Sequence, residues 1–224
     1  MLAMSQHDWL AWHSPYDDPD SALSRRLAMV QARLAEALDG CRPGRVQVIS
    51  MCAGQGRDLL GVLARHPRGG DVVARLVESD PRNVALARHG AAPFAGVEVA
   101  EADAGRTDAY AGAVPADIVL ACGVFGNISD DDIHRTIAAL PSLCAPGAVV
   151  IWTRHRLEPD RTVQVREWFR SAGFAERAFG VSDDALMAVG SHCLTGEALP
   201  FRAGQYLFRF NGQQTGPLSN ELAN

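Results

Sequence analysis

Paired cysteines are missing from this sequence. Five thiols, Cys41, Cys52, Cys122, Cys144 and Cys193, lie far apart, in odd number and with no C-x-x-C. That pattern leaves out a zinc site and a disulfide framework and fits reduced, mostly buried side chains. Long apolar runs are missing as well. No stretch approaches the roughly 18 residues that a membrane span needs, and the start Met1-Leu2-Ala3-Met4-Ser5-Gln6-His7 has no basic region followed by an apolar core. A cytoplasmic chain with no membrane partner is expected. Positive charge is short: the formal net charge is −5 and the pI about 5.8, so there is no overall basic footprint and no nucleic-acid partner is expected. Internal repeats, low-complexity tracts and an interdomain linker are absent too. With 224 residues, 47% of them hydrophobic and 21% charged, what is left is one α/β domain with a large core.

Against these absences one stretch stands out, Val46 to Leu63. A β-branched run (Val46, Val48, Ile49) stops at Cys52-Ala53-Gly54-Gln55-Gly56, and an amphipathic run with Leu59, Leu60 and Leu63 follows. The period changes from strand-like to helix-like across a glycine turn. Glycine suits such a turn because its backbone angles disfavour a Cβ and because a ligand can then approach the main chain. The helix start adds free N–H groups and a partial positive charge. A dinucleotide fingerprint would need a third glycine at position 59, which is Leu59, and no G-x-x-x-x-G-K-[ST] occurs anywhere.

The stretch Ser50-Met51-Cys52-Ala53-Gly54-Gln55-Gly56 resembles the first motif of class I S-adenosylmethionine (SAM) dependent methyltransferases, D/E-x-G-x-G-x-G. Ser50 stands in place of the acid and Cys52 in place of the first glycine. A second strand, Val72 to Val77, ends in Glu78-Ser79-Asp80-Pro81, some twenty residues after the turn. An acid at that tip accepts two hydrogen bonds from ribose hydroxyls, and Glu78 is preferred. Asp80, just before Pro81, reads as a helix N-cap with proline at the first helical position. The resemblance supports Glu78, since members commonly place the ribose acid three residues before a proline.

Ahead of the first strand, Trp9, Leu10 and Trp12 lead into the turn-rich loop His13 to Asp20. A helix follows, capped by Ser21 or Asp20, with Leu23, Leu27, Val30, Leu34 and Leu38 at helical spacing until Gly40. The helix is expected to pack on the sheet; the resemblance implies that Tyr16, with His13, belongs to a lid over the cofactor. Beyond Glu78, a helix runs from Asn83 to His89 and a third strand from Val97 to Ala100. Asp103, followed by Ala104, is where the family places an acid for the adenine amino group; otherwise it is a solvated turn residue.

The fourth strand, Asp117 to Cys122, delivers Gly123 and Val124 at its carboxyl end, where open α/β sheets place ligands. Cys122 reads as a packing thiol. Asp130-Asp131-Asp132 reads as capping and charging the start of a helix rather than as a metal cluster, so no metal site is expected. A fifth strand, Ala148 to Thr153, ends in Arg154-His155-Arg156. His155 suits a general base, since its pKa lies near neutrality, and equally suits an exposed loop position. Arg154 or Arg156 would pair with an anionic substrate. A helix with Val165, Trp168 and Phe169 on one side closes at Gly173. Phe174 to Phe179, Leu186 to Ser191 and Gln205 to Phe210 then read as strands, two of them for an antiparallel edge.

The resemblance therefore implies a doubly wound, Rossmann-like, seven-stranded sheet, mostly parallel, with an antiparallel C-terminal strand and an N-terminal helical cap. The expected division is 1–40 as cap or lid, 41–210 as SAM-binding domain and 211–224 as a frayed tail. Cofactor contacts are expected at Tyr16, Ala53, Gly54, Gln55, Gly56, Asp58, Glu78, Ser79, Asp80, Asp103, Ala104, Gly123 and Val124, with Asp58 either on the cofactor's ammonium or a first-turn acid. The implied activity is methyl transfer to an oxygen or nitrogen of a small hydroxylated or carboxylated acceptor; a homodimer is compatible with it. Two rivals stay open. A nicotinamide-dependent oxidoreductase is disfavoured by Leu59 and by the lack of a Tyr-x-x-x-Lys pair. A non-catalytic SAM-binding protein is left open by Ser50 and Cys52.

Overall fold

The computed structural model describes residues 14–210; Trp9, Leu10, Trp12 and His13, and the tail from Asn211, lie outside the described residues. After a single tight turn at Ser14–Asp17, helix α1 (Ala22–Gly40) begins, capped by Ser21, whose side chain accepts a hydrogen bond from the Ser24 N–H. Strand and helix then alternate: β1 (Val46–Met51), α2 (Arg57–Leu63), β2 (Val72–Glu78), α3 (Pro81–Ala91), β3 (Val97–Glu101), β4 (Ala116–Ala121), α4 (Asp130–Ala139), β5 (Cys144–His155), α5 (Thr162–Ser171), β6 (Phe174–Val181) and β7 (Met187–Leu194).

The strands form one sheet in the order β3-β2-β1-β4-β5-β7-β6. β1 is parallel to both β2 and β4, β2 to β3, and β4 to β5, while β7 alone runs against its neighbours β5 and β6. The order reverses between β1 and β4, which opens a crevice at their carboxyl ends. Side chains alternate between two apolar layers, as the period of two requires. Ile49, Met51, Val119 and Ala121 join one layer, with Ile133, Ile137, Trp152 and Phe169. Val48, Ile118 and Leu120 join the other, with Leu34, Leu38, Leu59 and Leu60. Both faces are covered, so the central strands read as near-continuous apolar runs.

Trp152 on β5 lies across from Gly190 on β7, and a Cβ at Gly190 would sit 2.3 Å from the indole, so only glycine fits there. On its other side the indole stacks on Phe169, with centroids 6.0 Å apart.

Two expectations are corrected. The cap of α4 is Ser129, which accepts from the Asp132 N–H at 3.1 Å, and the three acids fill the first turn instead. Asp130 pairs with Arg161 at 2.9 Å and Asp132 with Arg135 at 2.6 Å. The segment Gln205 to Phe210 is not a sheet strand. It crosses outside β3 and α4, held by isolated bridges of Tyr206 to Arg106 and Phe210 to Ile128. Its main chain is spent elsewhere: the Leu207 N–H donates to the Gly105 carbonyl at 2.7 Å and the Leu207 carbonyl accepts from Thr136 Oγ1 at 3.1 Å.

Candidate functional site

The crevice at the β1/β4 reversal holds a cleft. The glycine turn forms its floor. Cys52, Gly54 and Gly56 all have positive φ (51°, 54° and 72°), and a Cβ on Gly56 would meet Leu76 at 2.7 Å. Cys52 thus holds, with a side chain, the left-handed conformation that glycine takes at lower cost. Burial pushes its thiol pKa well up, as it does for Cys122, so both stay protonated. α2 is only seven residues long, so its dipole contributes little beyond its free N–H groups.

Glu78 joins the turn to the end of β2. Its side chain is almost fully buried, with Oε2 accepting from the Gly54 N–H at 2.8 Å and Oε1 from the Ser79 and Asp80 N–H groups at 2.9 and 2.8 Å. Next to it on the cleft wall is Asn83, in the first turn of α3. It is fully buried, and neither its Nδ2 nor its Oδ1 has a hydrogen-bond partner.

Tyr16, Arg26, Asp58 and Cys122 make a second group. Arg26 is 5% exposed and donates to the Tyr16 hydroxyl, while the Arg57 guanidinium lies 5.4 Å from the Tyr16 ring centroid. Burial raises the Tyr16 pKa, against the opposing pull of Arg26. Asp58 and Cys122 line the cleft with them.

Of the residues expected from sequence, Tyr16, Ala53, Gly54, Gln55, Asp58, Glu78, Ser79 and Gly123 line this cleft together. Gly56 is the N-cap of α2 and stands outside the lining, as do Ala104 and Val124, which are buried in a core layer. Asp80 caps α3, accepting from the Arg82 N–H at 2.9 Å, and its hydrogen bond from Arg82 holds its carboxyl below the usual range. Asp103 stands outside the lining, with Oδ1 accepting from the Gly105 N–H at 2.8 Å and Oδ2 from the Tyr206 hydroxyl at 3.1 Å. His155 also stands outside it, against Gly126, with a buried Nδ1 that has no partner. Arg154 donates to the Phe125 carbonyl and Arg156 pairs with Asp160 at 2.9 Å, so both strand-end arginines are engaged within the protein.

Arg26, Leu27, Val30, Arg57, Asn83 and Phe210 line the cleft without having been singled out for it. For Arg26 a signal existed. It precedes Val30 and Leu34 at intervals of four and so lies on the apolar stripe of α1, where an arginine is unusual.

No protein-family model matches the chain, and no curated protein matches its sequence. Solved structures do. The chain is similar to magnesium protoporphyrin IX methyltransferase (ChlM) from Synechocystis PCC 6803, solved with bound SAM, at TM-score 0.62 and 12% identity over 86% of this chain and 99% of that one. It is similar to the N-methyltransferase NodS from Bradyrhizobium japonicum WM9, in complex with S-adenosylhomocysteine, at TM-score 0.60 and 16% identity over 81% and 92%. A third similar structure is 1,6-didemethyltoxoflavin-N1-methyltransferase from Burkholderia thailandensis, at TM-score 0.58 and 16% identity over 88% and 93%. Identities this low establish a common fold.

Proposed function

We propose that this chain, whose fold is that of the class I SAM-dependent methyltransferases, binds S-adenosyl-L-methionine in the cleft and carries its methyl group to an oxygen or nitrogen of a small-molecule acceptor. The observation that carries this reading is the pairing of polar groups in one cleft. Glu78 and Asn83 offer buried acceptors and a donor, as a ribose requires. Arg26 and Asp58 offer a buried cation and an acid, as a zwitterionic amino-acid tail requires. The left-handed glycine turn, whose Gly54 main chain lines the cleft between these two groups, fits a ligand that joins them.

Bound there, the cofactor supplies a sulfonium methyl that is electrophilic in itself, so positioning supplies much of the acceleration. Glu78 fixes the ribose, Arg26 takes the carboxylate, and Asp58 takes the ammonium. Asp103, which stands outside the lining, would serve the adenine amino group through the carboxylate that now accepts from the Tyr206 hydroxyl. The strand-end His155, which stands outside the lining beside Gly126, is the residue proposed for proton removal from the acceptor. Of the described residues, Tyr16 and the α1 residues Arg26, Leu27 and Val30 form the N-terminal wall of the site, and residues 41–210 form the binding domain. Among the described residues no helix is long and apolar enough to cross a membrane; a cytoplasmic location and a small hydroxylated or carboxylated acceptor complete the reading.

The test is a calorimetric titration of ligand-stripped protein with S-adenosylhomocysteine. Micromolar binding that is lost in Glu78→Ala supports the cofactor. Silence toward it, with heat from NADH, overturns it in favour of a nicotinamide enzyme. Binding without transfer to any of a panel of acceptors favours a regulatory SAM-binding protein.

A further inference from the structure

A carboxylate offers about four lone-pair sites. In Glu78 three of them are already taken, by the Gly54, Ser79 and Asp80 N–H groups. These bonds are built into the turn and into the start of α3, so they are not released without disturbing both. One acceptor site is left, enough for one hydroxyl but not for the two hydroxyls of a ribose diol. A second hydroxyl entering the same dry corner needs a partner from elsewhere.

Asn83 is that partner. Asn83 is a lining residue of the cleft together with Glu78 and Ser79, and its side chain is fully buried with both its donor and its acceptor unused. Burying such a group unpaired is costly, and a ligand hydroxyl that pairs with it recovers that cost. A hydroxyl both donates and accepts, so a single ribose hydroxyl engages Oδ1 and Nδ2 alternately, or one of them while the other meets a neighbouring polar atom of the ligand. Asn83 is held in place by α3 itself: Asp80 caps that helix, Pro81 opens it, and Val84, Ala87 and Ala91 bury the same face.

We infer that the nucleoside diol is divided, with Glu78 accepting from one hydroxyl and Asn83 binding the other, and that Asn83 is thereby a specificity residue for ribose over deoxyribose. This assignment rests on the proposed cofactor. It predicts an unusual combination for one substitution. Asn83→Leu removes an unpartnered amide at nearly constant volume, so the ligand-free protein should melt at the same temperature as wild type or higher. The same variant should bind S-adenosylhomocysteine about ten-fold more weakly.

Calorimetry with three ligands, S-adenosylhomocysteine and its 2′-deoxy and 3′-deoxy analogues, reads the division directly on wild type, Asn83→Leu and Asn83→Ala. With the analogue that lacks the hydroxyl held by Asn83, the variants and wild type should bind alike; with the other analogue the loss of about ten-fold should persist. Wild-type affinity for S-adenosylhomocysteine in both variants, or a loss that persists with both analogues, overturns the division while leaving the cofactor standing. No binding by wild type overturns the cofactor itself, and the division with it.

Discussion

The Gly54 N–H and the Glu78 carboxylate meet at 2.8 Å, so the turn after β1 and the end of β2 are one hydrogen-bonded unit. Past the Met51–Val77 pair the Ala53 N–H still donates to the Val77 carbonyl at 2.9 Å, and the Gly54–Glu78 bond extends that tie by one residue. Removing the carboxylate leaves three N–H groups without their acceptor. Glu78→Ala is expected to lose about 2–3 kcal/mol of stability, read from urea denaturation, together with its nucleoside binding. An unchanged midpoint would mean that water replaces the carboxylate freely.

Arg26 should matter to one end of the ligand alone. Charge-assisted hydrogen bonds to a carboxylate are worth about 1.5–3 kcal/mol, so Arg26→Met should weaken S-adenosylhomocysteine by about ten-fold or more. A decarboxylated analogue should bind the variant and wild type equally. Equal weakening of both ligands would assign Arg26 to holding Tyr16 rather than to the carboxylate.

Cys52 carries φ 51° with a side chain in place. The left-handed conformation costs a non-glycine residue about 1–2 kcal/mol, and most for a β-branched one. Cys52→Gly should therefore stay within about 1 kcal/mol of wild type, with relief of strain offsetting lost packing. Cys52→Val should fall by more than about 2 kcal/mol. Denaturation midpoints that rank Val above Gly would show that packing governs this position.

His192 gives the fold a pH dependence. It accepts from the Trp152 indole N–H at 3.1 Å through Nδ1 and stacks on Phe169 at 4.4 Å. Burial pushes its pKa down to about 4, against the weaker pull of Glu176, whose carboxylate is 3.6 Å from Nε2. Protonation is thus easier in the unfolded chain, where histidine titrates near 6.5. The stability from the neutral ring is fully present above about pH 6.5 and is lost as pH falls toward 4, by about 2–3 kcal/mol in all. His192→Phe should lower stability at pH 7, since the Trp152 N–H loses its acceptor, yet flatten the slope between pH 6.5 and 4. Chemical denaturation across that range checks both.

What could be read from the sequence was what depends on near neighbours. The glycine turn, the acid at the end of β2, the Asp80-Pro81 helix start and the apolar strands are each written within a few residues, because a backbone angle, a cap or a buried strand is a local demand. Phe210 escaped because it belongs to the cleft only through the packing of a distant segment, and Asn83 because its near neighbours do not mark which face of α3 borders the cleft. The segment from Gln205 was misread for a related reason. Tyr206, Phe208 and Phe210 alternate like a strand, yet Gly105 lies so near that a Cβ there would touch the Phe208 carbonyl at 2.2 Å, and loop residues rather than a strand take up its hydrogen bonds. Alternation reports which side chains are buried, not what lies alongside the backbone.

Tyr16 and Phe210, near opposite ends of the described chain, line the same cleft. Synthesis delivers them far apart in time: the glycine turn and Glu78 have left the ribosome well before Phe210 is made. A nascent chain therefore owns the floor of its pocket long before it owns the wall, and a ligand that touches both can stabilise only the finished polypeptide.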